Sequence, residues 1–142
     1  MPTEALEQAY RSTTYRVFLP GGALDLRIGQ ASAELAGWLA KQGATCWAVL
    51  TACNPLSCRC SVDENDARQS RLMVELLERG YEPYVGENLA DAGDWPAEEN
   101  CLVAGLSVTD CLALAQRFGQ NAVVCGGSDG VPQLIWVECP TQ

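Results

Sequence analysis

Residues 46–80 read CWAVLTACNPLSCRCSVDENDARQSRLMVELLERG, and this stretch decides the fold. Its first part, from Thr45 to Ala52, is almost entirely apolar and too short for a helix of its own. Such a run predicts a strand that is covered on both faces and central in its sheet. Asn54-Pro55 ends the strand. Ser61 and Glu64 then fit a capping box that opens a long helix ending at Gly80.

The segments on either side of this stretch extend the same pattern of strands and helices. The sequence predicts helices over 31–42 and from Ser107 to near Gly119, and it predicts a loop over 86–96. Residues 1–14 are polar and form an arm, either frayed or as a short helix, and residues 15–142 form a single domain. Alternating or apolar runs predict six further strands at Tyr15–Leu19, Leu24–Ile28, Tyr81–Val85, Asn100–Leu106, Asn121–Cys125 and Gln133–Val137.

These elements predict an α/β (α+β) fold with a single mixed β-sheet of about six to seven strands and three helices packed on it. A chain of 142 residues with 48% hydrophobic and 19% charged residues is typical of one globular domain. No apolar run is long enough to span a bilayer, and the N-terminus lacks the apolar core of a signal peptide. We therefore expect a cytoplasmic protein.

The charge of the chain excludes two classes of partner. The formal net charge is −9, and the segment from Glu82 to Glu99 contains acids but no base. Proteins that bind nucleic acid or anionic membranes normally present basic patches, so we expect neither partner. The chain also contains no histidine, which excludes catalytic triads built on that residue.

The polar loop after the apolar strand is the leading candidate site, because ligands of α/β sheets bind where strands end and helices begin. In this hypothesis polar side chains orient a small ligand and Arg68 binds an anionic group. Glu64 and Glu99 are weak candidates for a general base. Each residue also has a structural interpretation, in turns, caps or ion pairs. The candidate ligand-binding residues are Asn54, Ser57, Asn65, Arg68 and Gln120.

The cysteines suggest a separate alternative. Cys53, Cys58 and Cys60 could bind a soft metal or include a reactive thiol. Their spacing is not that of a zinc ribbon, so we assign no metal and keep the three residues as weak candidates. The GGSDG turn at 126–130 lacks the lysine of a phosphate-binding loop, and we assign no cofactor.

Several separated motifs together resemble a bacterial family known as domain of unknown function 3293. They are YRVFLPGG, LDLRIG, WAVLTACNPLS, ENDARQSRL, WPAEEN and FGQNAVVCG, in that order, and they cover about Tyr15 to Val137. The resemblance implies a compact single-domain bacterial protein and brings no established activity. The residues of this chain that match the motifs of the family are Asn54, Pro55, Ser57, Glu64, Asn65, Arg68, Trp95, a Glu at 98 or 99, and 119–121.

Three functions remain open from the sequence. The first is a domain that binds a small polar or anionic ligand, with catalysis on a metabolite undecided. The second is a protein–protein interaction module without catalysis. The third is a thiol or metal protein that uses the cysteines.

Overall fold

The computed structural model describes residues 3–93 and 95–137. In this part of the chain, four α-helices accompany one seven-stranded sheet. The helices are α1 (Glu4–Arg11), α2 (Ala33–Gln42), α3 (Val62–Glu78) and α4 (Val108–Arg117). The strands are β1 (Thr13–Leu19), β2 (Gly22–Leu26), β3 (Cys46–Leu50), β4 (Tyr84–Ala90), β5 (Glu98–Ala104), β6 (Ala122–Gly127) and β7 (Gln133–Trp136). The predicted class, helices packed on a single sheet, is confirmed.

The sheet has the strand order β2-β1-β4-β5-β3-β6-β7, and each of its six strand pairs is antiparallel. The expectation of a mixed sheet is corrected by this pairing. Helix α3 joins β3 to β4, which run in the same direction, but β5 lies between them. Helix α4 likewise joins β5 to β6 across β3. The segment from β3 to β6 therefore has the split β-α-β arrangement of ferredoxin-like folds.

Strand β3 lies inside the sheet and carries core residues on both faces, as its apolar run predicts. Trp47 and Val49 belong to the core cluster that includes the buried leucines of α2. Ala48 and Leu50 belong to the opposite cluster, with the buried residues of α3 and α4. Successive side chains of a strand point to opposite faces, so a strand buried on both sides must be apolar throughout.

The predicted helix starts at Ser61 and Ser107 are confirmed, whereas α2 begins at Ala33, two residues after its predicted start. The backbone N–H of Glu64 donates to Ser61 Oγ at 3.1 Å at the start of α3, and the same contact joins Asp110 to Ser107 at the start of α4. Helix α2 ends at Gly43, whose φ of 70° places it in the left-handed region. Side-chain caps and a left-handed glycine satisfy backbone groups that a helix leaves open.

Strand β4 differs from its prediction. The sequence predicted a strand over 81–85 and a loop from residue 86, whereas β4 extends to Ala90. Its residues pair with β1 on one side and β5 on the other, and Asn88 Oδ1 accepts from Asn100 Nδ2 at 2.7 Å. Tertiary pairing on both edges thus overrides the low strand propensity of the GENLA segment.

The fourth helix is α1, which lies within the predicted N-terminal arm and was not among the three helices expected. The side chain of Thr3 accepts from the backbone N–H of Leu6 at 3.0 Å and caps its start. None of its residues is fully buried. Among the residues that the structure describes, no helix is both long and apolar enough to cross a membrane.

Candidate functional site

A cavity of about 360 Å³ lies where α1 crosses the α2 side of the sheet near the end of β3. Its apolar wall includes Leu6 and Ala9 of α1 together with Val49 and Val124 of the sheet. Polar side chains from four parts of the chain complete the lining. They are Tyr10, Ser12, Thr13, Tyr15, Thr51, Asn54, Ser57, Asn88, Trp95, Glu98 and Gln120.

The loop after β3 forms one wall of the cavity and has an unusual backbone. Asn54, Leu56 and Ser57 have φ values of 47°, 55° and 61°, all in the left-handed region. Each such residue carries a strain of roughly 1–3 kcal/mol and persists only where contacts with the surrounding structure hold it in place. The fold must therefore supply contacts that fix this loop.

Asn54 provides the first set of these contacts and is only 4% exposed. Its Oδ1 accepts from the backbone N–H of Cys60 at 2.8 Å and from Asn65 Nδ2 at 2.9 Å. Its backbone N–H donates to Asn65 Oδ1 at 2.8 Å. With its oxygen occupied on the α3 side, Asn54 presents an N–H donor to the cavity, where Nδ2 donates to Glu98 Oε2 at 2.6 Å.

Arg68 of α3 holds the loop from behind. Its Nε donates to the backbone oxygen of Ala52 at 2.7 Å, and a terminal nitrogen donates to that of Phe118. Gln120 Nε2 donates to the backbone oxygen of Cys53 at 3.0 Å. Arg68 does not line the cavity. Its guanidinium thus joins two backbone segments, at Ala52 and Phe118, to α3, and the anion-binding role expected from the sequence stays a prediction.

Glu98 brings the negative charge to the cavity. Its Oε2 accepts from Asn54 Nδ2 and from Trp95 Nε1, the latter at 3.1 Å. Among the described lining residues it is the only charged one. The neighbouring Glu99 is exposed and does not line the cavity, because successive residues of β5 point to opposite faces.

Tyr10 closes the cavity from the side of α1. The Ser57 side chain and the backbone of Ala122 lie close to its hydroxyl and lower its pKa. Burial and the nearby Glu98 carboxylate outweigh them and raise the pKa of Tyr10 to about 12. The ring of Tyr10 packs edge-to-face on Trp136, with ring centroids 5.7 Å apart. Tyr10 is thus a neutral hydrogen-bonding group that links α1 to the loop and to β6.

The structure brings some of the predicted residues together and separates others. Asn54, Ser57 and Gln120 line the cavity, whereas Asn65 and Arg68 contact the loop from the α3 side. Glu64 is exposed, and its backbone and carboxylate both contact Ser61 at the helix cap. None of these placements tests whether a ligand binds, so the ligand-binding assignments stay predictions.

Tyr10, Thr13 and Asn88 line the cavity and were not among the site residues predicted from the sequence. For Tyr10 a signal was present. Leu6 and Tyr10 are four residues apart, which places them on one face of a helix over the first residues. The role of Asn88 had no such signal, because its segment was predicted to be a loop.

The described cysteines do not gather into a cluster of metal ligands. Within residues 3–93 and 95–137, no three His, Cys, Asp or Glu side chains gather in a way that could hold a metal ion. Cys53, Cys58 and Cys60 are free thiols, each with its sulfur near a backbone oxygen at 3.8 Å. Burial raises the pKa of Cys53, which disfavours its reactive thiolate. Among the described residues these three cysteines therefore belong to no metal-binding group, and a reactive thiol among them stays a prediction.

The chain matches one protein family, described as "Protein of unknown function (DUF3293)", over residues 50–123. This match covers more than half of the chain. The chain belongs to the DUF3293 family. No curated protein and no solved structure matches it. The resemblance inferred from the motifs is confirmed.

The DUF3293 match includes the strained loop, α3, α4 and Glu98, but not α1 or β1. It therefore contains one wall of the cavity and the charged residue, while Tyr10 and Thr13 lie outside it. The family description assigns no ligand and no activity, so function must be inferred from the geometry of the cavity.

Proposed function

We propose that this protein binds a small organic ligand in the cavity between α1 and the loop after β3. The observation that carries the proposal is the cavity itself, whose volume of about 360 Å³ falls within the range of small-molecule pockets. Its lining is also of the kind that ligand sites use, an apolar wall with a few fixed polar groups.

The strained loop supports this proposal. Left-handed residues other than glycine persist where surrounding contacts hold them, and they cluster at ligand-binding and catalytic sites. Here three of them lie in the segment from Asn54 to Ser57, and two of these, Asn54 and Ser57, line the cavity. The contacts from Arg68, Asn65 and Gln120 keep this wall rigid, so a ligand would meet a preformed surface.

Catalysis remains a prediction that the cavity neither requires nor prevents. Glu98 is the carboxylate within reach of a bound ligand, and it replaces Glu64 and Glu99 as the candidate general base.

The protein-partner alternative also remains a prediction. The exposed apolar side chains of the described residues include Leu56 and Trp95 beside the cavity, and Leu77 on α3.

Ligand binding is tested with a fragment library and a pair of matched variants. Ala9 is exposed on α1 and lines the cavity, so Ala9→Trp would fill its mouth without entering the core. Ala5 is exposed on the same helix and does not line the cavity, so Ala5→Trp is the control. Binding is followed by native mass spectrometry and by thermal shift.

We expect fragments that bind the natural sequence to bind Ala5→Trp equally well and Ala9→Trp at least about tenfold more weakly. Fragments that bind both variants alike would show that the ligand site lies elsewhere. An absence of binding fragments for all three proteins would contradict the proposed function.

A further inference from the structure

We propose that the cavity selects a ligand with an apolar body and a protonated amine, which Glu98 binds. This inference rests on the proposed function and adds the chemical class of the ligand to it. It stands on the charge of the cavity, on the hydrogen bonds that orient Glu98, and on the shape of the apolar wall.

The charge of the cavity is the first observation. Among the described residues that line it, Glu98 carries the only formal charge, and no arginine or lysine is present. Three arginines outside the lining have partners of their own. Arg68 bonds to backbone oxygens, Arg27 pairs with Asp91, and the guanidinium of Arg59 lies over Trp95, 5.6 Å from the ring centroid. A partly buried carboxylate without a cationic partner favours a ligand that supplies the positive charge.

The hydrogen bonds of Glu98 are the second observation. The two N–H donors from Asn54 and Trp95 both reach Oε2. The amide of Asn54 cannot turn its oxygen towards Glu98 without losing the bonds from Cys60 and Asn65. Glu98 is thus held as an acceptor, and its Oε1 has no hydrogen bond to any described residue. A ligand ammonium group would donate to this oxygen in a charge-assisted bond.

The remaining lining suits an apolar body rather than a metal ion. Leu6, Ala9, Val49 and Val124 form an apolar wall on both sides of the cavity. The aromatic rings of Tyr10 and Trp95 also line it, and aromatic faces attract organic cations. A bare metal ion would need several ligands, and the described part of the chain offers no group of three His, Cys, Asp or Glu side chains that could hold one.

Three probes of matched shape test the selectivity: 2-phenylethylamine, 2-phenylethanol and phenylacetate. They share an aromatic body and carry a positive, a neutral and a negative polar group at neutral pH. Their dissociation constants for the full chain are measured by ligand-observed NMR. We expect the amine to bind about tenfold more tightly than the alcohol, and phenylacetate to bind most weakly. Added salt should weaken the amine alone.

Two variants assign the preference to one carboxylate. Glu98→Gln keeps an acceptor oxygen for Asn54 and removes the charge, so the preference for the amine should disappear while the alcohol binds as before. Glu99→Gln is the matched control, because this neighbouring residue is exposed and outside the cavity, and it should keep the preference. Should Glu98→Gln fail to fold, the ranking of the three probes by the natural sequence still decides the outcome.

The possible failures are distinguishable. Equal binding of all three probes, or an amine preference that survives Glu98→Gln, would overturn this inference and leave the ligand-binding proposal intact. Tighter binding of phenylacetate would also overturn it. If none of the probes binds and the fragment library gives no binder sensitive to Ala9→Trp, the proposed function itself fails.

Discussion

Replacing Asn54 with alanine should destabilise the protein more than any other single change at the loop after β3. The side chain is buried and makes three hydrogen bonds, of which one goes to the carboxylate of Glu98. A neutral bond contributes about 1 kcal/mol and one to a charged group about 1.5–3 kcal/mol. The φ of 47° adds about 1 kcal/mol for alanine. We expect Asn54→Ala to lower the free energy of unfolding by about 5 kcal/mol.

Two companion variants separate the causes. Asn54→Gly loses the same bonds but accepts the left-handed backbone, so its loss should be about 1 kcal/mol smaller than that of Asn54→Ala. Asn121→Ala is the control. Asn121 is half-buried, and its Nδ2 donates only to Ser57 Oγ at 2.9 Å. Its loss should be about 1 kcal/mol or less.

The assay is equilibrium unfolding in urea, followed by far-ultraviolet circular dichroism. The reasoning would be refuted if Asn54→Ala cost less than about 1 kcal/mol, or no more than Asn121→Ala. A loss for Asn54→Gly that equals or exceeds the loss for Asn54→Ala would refute the part that concerns the left-handed backbone.

Two further predictions concern the loop and Tyr10. Gly119→Ala should lower the free energy of unfolding by about 2–3 kcal/mol, because φ is +71° and the new Cβ would lie 2.9 Å from Pro55 Cβ. The control is Gly43→Ala, which has a similar φ of +70° but open space around the new Cβ, and it should lower the free energy of unfolding by about 1 kcal/mol. Equal losses for the two variants in urea unfolding would contradict this prediction. Because the pKa of Tyr10 is raised in the folded protein, its neutral hydroxyl contributes to stability. This contribution is complete below about pH 10, where tyrosine titrates in the unfolded chain, and it is lost as the pH rises towards about 12, where Tyr10 titrates in the folded protein. The urea midpoint should therefore fall over this range, and Tyr10→Phe should make the fall shallower; an unchanged slope would exclude the effect.

The parts of the fold that the sequence predicts are those decided locally or by burial. The run from Cys46 to Leu50 could only be a strand covered on both faces, and the side chains of Ser61 and Ser107 begin their helices through contacts three residues away. Such signals do not depend on the rest of the chain. The order of the strands in the sheet could not be predicted in this way. It depends on pairings between residues far apart in the sequence, and hydrophobic periodicity carries no information on which strands pair.

The candidate site was predictable only in part, for the same reason. The loop residues Asn54 and Ser57 are marked by their position at a strand end. The choice between Glu98 and Glu99 depends on the register between β4 and β5, which pairs Asn88 with Glu98. A shift of one residue would exchange the two carboxylates, and no local pattern fixes that register. The hydrogen bonds of Arg68 were not predictable either, because its backbone partners belong to segments distant in the sequence.

The position of β3 in the sheet has a consequence for the growing chain on the ribosome. Its two neighbours, β5 and β6, are synthesised only after α3 and β4, so the nascent CWAVL segment has both edges unpaired during that interval. Apolar strands with open edges are the segments through which incomplete chains associate. Recovery of this protein from cells should therefore respond to the speed of elongation between Leu50 and Glu98, independently of how stable the finished molecule is.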